Sequence, residues 1–186
     1  MIRQRKKEEY AIVLDFLPNG YPDSQQGHRK TPVCQALGKT LFVLLELVPK
    51  KEVFLNPGKE VYIGDGKRDD VHHINGRIPF SRLTGTAEHE LKFMLIELIK
   101  GSPDRFLTFF NTAGPLSLRM HQLELLPGVG KKHAKELLEA RDEKPFESFA
   151  DLKSRVKLMP NPEDLILKRI LKELEGTEKH HIFVQG

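Results

Sequence analysis

Leu126-Pro127-Gly128-Val129-Gly130, followed at once by Lys131, Lys132, Ala134 and Lys135, decides how the C-terminal half of the chain reads. With Leu123-Glu124-Leu125 before it and Glu136-Leu137-Leu138-Glu139-Ala140-Arg141 after it, the stretch has the form helix, two-glycine turn, helix. Proline ends the first helix because it cannot continue it, and the glycines permit backbone angles and close approaches that a side chain blocks. The turn amides then lie beside the N-terminus of the second helix, where unpaired N–H groups and the positive end of the macrodipole suit an anion. Lys131, Lys132 and Lys135 have the wrong sign for that end of a helix, and a polyanionic partner resolves the conflict.

This pattern resembles the helix-hairpin-helix motif of DNA- and RNA-binding proteins: an apolar residue, Pro-Gly-apolar-Gly, and an alanine four residues after the second glycine. Leu126, Pro127, Gly128, Val129, Gly130 and Ala134 meet each of those positions. The resemblance implies that the turn's amides grip backbone phosphate without reading sequence. It makes Pro127, Gly128, Val129, Gly130, Lys131, Lys132 and Lys135 the expected nucleic-acid-binding residues, and the family sometimes bridges through turn carbonyls with a monovalent cation. No other cofactor is expected. The same turn serves elsewhere as a protein-docking element, so a protein-interaction module of a nucleic-acid-processing complex is the second reading.

The sharpest enzymatic rival is a base-excision glycosylase-lyase, because some relatives of the motif carry a Schiff-base lysine where Lys132 stands. They also need an aspartate about eighteen residues further on, where this chain has Ala150, with Asp151 one step out of place. No nucleotide-binding glycine loop and no nucleophile signature stand out. The chain reads as a non-enzyme with no catalytic residues.

Working outward, residues 148–157 and 161–175 form a second helix, link, helix, with Ser148 and Asn161 as caps. Its Met159-Pro160-Asn161-Pro162 link has no Gly-x-Gly and two residues without N–H, so it supports the first turn rather than gripping phosphate. A helix capped by Thr86 ends at Gly101, and Phe106, Phe109 and Phe110 belong to another with a core face. Ser117 is read as the cap of the first hairpin helix, with Met120 and Leu123 facing inward. The tail carries Ile182-Phe183-Val184, read as an added edge strand or an unordered end.

The N-terminal part reads as strands: Tyr10–Leu17, Val33–Leu37, Thr40–Val48, Val53–Leu55, Glu60–Ile63, and Val71–Ile74 turning at Asn75-Gly76 into Arg77–Phe80. Short strands with frequent turn signals predict a small barrel, OB-like or SH3-like. The loop between Pro18 and Pro32 interleaves Tyr21, His28, Arg29 and Lys30, a second surface suited to single strands. Arg3, Arg5, Lys6 and Lys7 form a basic arm. His72-His73 and His180-His181 read as surface histidines, since neighbours on a strand point to opposite faces, and no metal site is expected.

The fold expectation is thus α+β: a β-rich barrel over residues 1–84, a helical connector over 85–114, a tandem helix-hairpin-helix domain over 115–176 and a tail over 177–186. This layout resembles an uncharacterised archaeal family of predicted RNA-binding proteins, which places RNA slightly ahead of DNA.

Composition bounds the rest. The 186 residues are 39% hydrophobic, enough for real cores, and carry a formal charge of +4. Residues 1–114 hold 17 basic against 14 acidic side chains and residues 115–186 hold 13 against 12, so local clusters, not net charge, must carry the argument. Cys34 is the sole cysteine, which excludes an internal disulfide and thiolate metal clusters and fits a reducing cytoplasm. No stretch is long enough to span a bilayer, so no membrane partner is expected.

Overall fold

The computed structural model describes residues 7–22 and 31–185. Its chain divides into two compact units, one built from Met1–Met94 with Glu173–Gly186 and the other from Leu95–Lys172.

The first unit is a curled, five-stranded antiparallel half-barrel: β1 (Tyr10–Leu17), β2 (Val33–Gly38), β3 (Leu44–Pro49), β4 (Glu60–Tyr62) and β5 (Val71–Arg77), in the order β4-β1-β2-β3-β5. The expected barrel is therefore an open sheet, with β4 and β5 as its edges. Side chains alternate across each strand. Ala11, Val13, Cys34, Ala36, Leu45 and Leu47 fill the concave core with Val61, Ile63 and Val71, while Ile12, Leu37, Leu44 and Val48 are buried on the other face. Helix α1 (Gly85–Gly101) is fixed to that second face at its first turn. Thr84 Oγ1 accepts from Ala87 N (3.1 Å) and donates to Asp15 (2.6 Å), and Thr84 N donates to Gln35 (2.9 Å). The cap is thus Thr84, not Thr86.

Three strand expectations change. Among the described residues Val53–Leu55 pairs with no strand, and residues 39–41 form a turn whose amides at Thr40 and Leu41 donate to the Glu8 carboxylate. Asn75-Gly76 does not turn the chain. Gly76 pairs with Glu46 and Ile74 with Leu47, so Asn75 is an extra, bulged residue within one continuous β5.

The tail is neither an edge strand nor unordered. The Glu173 carboxylate, on a residue only 2% exposed, accepts from three successive amides, Ile182 (2.9 Å), Phe183 (3.0 Å) and Val184 (2.8 Å). Gln185 N then donates to Leu41 O at 3.0 Å, and Arg77 donates to Gln185 O at 3.1 Å.

The second unit holds α2 (Pro103–Thr112), a small hairpin of β6 (Pro115–Ser117) and β7 (Met120–His121), a 3-10 turn at Gln122–Leu125, then α3 (Lys131–Glu143), α4 (Phe149–Arg155) and α5 (Pro162–Leu174). Arginines close its helix ends. Arg141 donates to Phe110 O (3.1 Å) and Ala113 O (2.7 Å) at the end of α2, and Arg155 donates to Ala140 O and Lys144 O at the end of α3. Phe106 and Phe110 are core, as their spacing predicts. The helix expected after Ser117 is replaced by β6, β7 and the 3-10 turn. Leu118 is fully exposed and Met120 is 43% exposed, so only Leu123 of that segment faces inward.

Candidate nucleic-acid interface

His121 starts the approach to the glycine turn. Its ring accepts from Leu123 N (3.2 Å) while Glu124 accepts from His121 N (2.9 Å), a reciprocal cap that sets the 3-10 turn. Burial, and then the positive charge of Arg141, hold the His121 pKa below the usual histidine value. Leu126 and Val129 anchor the turn in the core at 1% and 4% exposure, and Val129 N donates to Leu126 O at 3.0 Å.

The two glycines do different work. Gly128 has φ +94°, the left-handed region that glycine tolerates and other residues resist. Gly130, with φ −89°, is ordinary extended backbone, and a Cβ on it would meet nothing within 4 Å. Its contribution is the open space in front of α3. That helix has no side-chain cap and no acid in its first turn. Its first backbone bond runs from Ala134 N to Gly130 O (2.9 Å), and none of the hydrogen bonds found among the described residues uses the amides of Gly130, Lys131, Lys132 or His133.

Lys131, Lys132 and Lys135 are exposed around those amides. Lys132 sits 3.9 Å from Glu136 and Lys135 3.6 Å from Glu139, exposed pairs on one helix that contribute a few tenths of a kcal/mol, about 0.3–0.5, and yield readily to a stronger anion. The remaining acids of α3, Asp142 and Glu143, lie at its C-terminal end, so its charges run against its own dipole.

Support for the turn comes from α5, which sequence reasoning assigned only in general terms. Pro160 and Leu165 lie under Gly128, 3.6 and 3.7 Å from where its Cβ would be. Arg169, 2% exposed, donates to Leu125 O at 2.9 Å. Its signal in the sequence was an arginine inside the apolar series Leu165, Ile166 and Ile170. Three carbonyls of this stretch accept hydrogen bonds, Leu123 from Leu126 N, Leu126 from Val129 N and Leu125 from the Arg169 guanidinium. Asp151 is tied to its own helix end, accepting from Glu147 N (3.1 Å) and Arg155 (3.2 Å). The Glu147 amide, followed by Arg155, holds its carboxyl below the usual carboxylate value.

Residues 7–185 match the family described as "Protein of unknown function (DUF655)". The chain belongs to that family. It is 43% identical over 185 residues to the uncharacterized protein MJ0038 of Methanocaldococcus jannaschii, a match covering 98% of this chain and 82% of that protein. It is also similar to the crystal structure of Af1531 from Archaeoglobus fulgidus, with 42% identity and a TM-score of 0.85 over 96% of this chain and all of that one. Both relatives are archaeal, as the resemblance of layout implied.

Of the expected second surface, Tyr21 alone lies among the described residues of this DUF655 chain. Tyr21 is built into a network. Its hydroxyl donates to Glu46 (2.6 Å) and accepts from Gln35 (3.1 Å), and the Arg82 guanidinium lies 3.8 Å from its ring centre. Burial, then the Glu46 hydrogen bond, raises its pKa. The guanidinium covers one face of that ring. His28, Arg29 and Lys30 lie outside the described residues, as do Arg3, Arg5 and Lys6, and Lys7 pairs with Asp65 at 3.3 Å.

His72, His73, His180 and His181 are exposed, as expected, but His72 and His73 do not point to opposite faces. Val48 pairs with His73 and Pro49 with Val71, so His72 is a second bulged residue of β5. The bulge turns its ring to the side of His73, with Nδ1 to Nδ1 at 2.7 Å. Among the described residues no group of three or more His, Cys, Asp or Glu side chains could hold a metal ion, and no helix is long and apolar enough to cross a membrane.

Proposed function

We propose that this DUF655 protein is a sequence-nonspecific nucleic-acid-binding protein whose second unit grips backbone phosphate in the manner of a helix-hairpin-helix. The observation that carries the reading is the N-terminus of α3. Four amides there without protein acceptors face open space over Gly130, ringed by three exposed lysines on a helix whose charge order opposes its dipole. Phosphate satisfies the amides and the lysines together. Contacts of this kind position a strand without reading bases. RNA stands ahead of DNA on the resemblance of layout alone. The reading includes no catalysis, so borohydride treatment on abasic-site DNA should trap no adduct at Lys132.

The test is the salt dependence of binding to mixed-sequence RNA and DNA. Three lysines neutralise about three phosphates, for a logarithmic slope of roughly −2 to −3. The Lys131→Ala, Lys132→Ala, Lys135→Ala variant should flatten that slope by about the same amount on every sequence. An unchanged slope and affinity in a folded triple variant sinks the proposal.

The alternative, a protein-interaction module, draws on Leu118 and Leu158, apolar residues of the same unit left 90% exposed or more. Failure to bind any nucleic acid, with one protein co-purifying in stoichiometric amount, would favour it.

A further inference from the structure

The groove at one end of the half-barrel has no role in the reading above. It has a volume of about 560 Å³, within the ordinary range of small-ligand sites, and its walls include Phe16, Val48, Phe54, His72 and His73. We infer that this groove seats an unpaired base of single-stranded nucleic acid. The inference rests on the nucleic-acid reading and adds to it a second contact and a preference for single strands.

Phe54 is 74% exposed although the core lies beside it at Leu55. Among the described residues its one ring contact is an edge-on meeting with Phe16, centroids 5.6 Å apart at 81°, which leaves most of the ring in water. A face held this way is a stacking platform for any base, because every base has a π face.

The histidine pair supplies the polar wall. Asn75 donates its amide to Glu46 Oε1 (2.6 Å), so its oxygen faces His73 Nε2 (2.9 Å) and that nitrogen carries the proton. His73 Nδ1 meets His72 Nδ1 at 2.7 Å, one donating to the other according to tautomer. His72 Nε2 is the remaining polar atom of the pair. The pair does not drift, because Glu46 is also held by Tyr21. A contact atom fixed before binding loses little freedom on binding.

Charge decides between a base and a purely apolar guest. Lys50 and Lys51 line the same groove against one acid, Glu52, and Lys50 Nζ is positioned by donating to Arg68 O. Two ammonium groups beside an aromatic slot match a base with phosphates on either side. Bases inside a duplex are stacked on one another and do not reach such a slot.

The experiment uses the full chain, a labelled ten-nucleotide oligouridine and a twenty-base-pair RNA duplex at one salt concentration. Phe54→Ala removes an exposed ring and should leave the melting temperature near that of the parent. We expect it to weaken oligouridine binding about tenfold and duplex binding less than twofold. A 4-thiouridine oligonucleotide should crosslink to residues 48–54 or 71–77. Unchanged oligouridine affinity in a folded Phe54→Ala chain, or equal losses on both ligands, overturns the inference. So does a proline-rich peptide whose binding Phe54→Ala abolishes with no crosslink in the groove. If the triple lysine variant weakens binding and Phe54→Ala does not, the groove fails and the phosphate grip stands. The reverse pattern fails the phosphate grip alone.

Discussion

Gly128 rests on Pro160: the proline ring supports the glycine from one side, while across the turn Gly130 faces nothing. The two glycines should therefore separate stability from binding. Gly128→Ala places a side chain at φ +94° and should cost about 1–2 kcal/mol of stability from backbone strain, since the contacts it meets are ordinary ones. Gly130→Ala should leave denaturant unfolding nearly unchanged and weaken phosphate binding by narrowing the approach. Equal unfolding midpoints for the two variants would contradict the backbone assignment.

His121 makes the helical unit sensitive to mild acid. Its folded pKa lies below its unfolded value of about 6.5, so between the two the unfolded chain binds more protons. The cap's contribution is complete above the unfolded pKa and is lost as pH falls through the folded one. Melting temperature should fall more steeply from pH 7 to pH 5 in the parent than in His121→Asn, whose amide oxygen caps without titrating. Parallel curves would show that the cap does not couple to protonation.

Cys34 should be inert in the folded protein. It lies in the concave core at 0% exposure, and burial, with the nearby Asp15 charge, pushes its thiol up to about 12. A thiol reagent at pH 8 should label it only after denaturant is added. Rapid labelling without denaturant would mean that β1 and β2 part readily.

Removing the Glu173 carboxylate strands three amides, that of Val184 buried and those of Ile182 and Phe183 half-buried. Glu173→Ala should cost about 3 kcal/mol and deprotect the amides of Ile182, Phe183 and Val184 in hydrogen exchange, whereas Glu173→Gln, keeping one acceptor oxygen, should cost less. Unchanged exchange at these amides in the alanine variant would show that other contacts hold the tail.

These features were unequally legible in the sequence. Runs of branched apolar residues bounded by turn residues made β1 and β2 readable, and the Pro-Gly-Val-Gly spacing located the turn before α3. Asn75-Gly76 misled because its turn preference is local, whereas the bulge depends on Glu46 lying across the sheet. The helix expected after Ser117 rested on Met120 and Leu123, a spacing that one inward leucine in a 3-10 turn satisfies equally well. Tyr21 looked like a free aromatic because Arg82 is sixty-one residues away in the sequence. Phe54 and His72 join one groove only through a loop and a register slip that no periodicity encodes.

The return of the tail to the sheet sets an order of assembly during synthesis. A ribosome releases the N-terminal strands first, yet their unit lacks the Glu173 carboxylate and the Gln185 bond to Leu41 until residues 173–185 emerge. Residues 95–172 are complete earlier and can fold as a block while the half-barrel waits. Translation that stalls just after residue 172 would leave the second unit finished and the half-barrel without the bonds that hold residues 182–185. Newly made chains are then most exposed to sticking together between the emergence of residue 172 and that of residue 185.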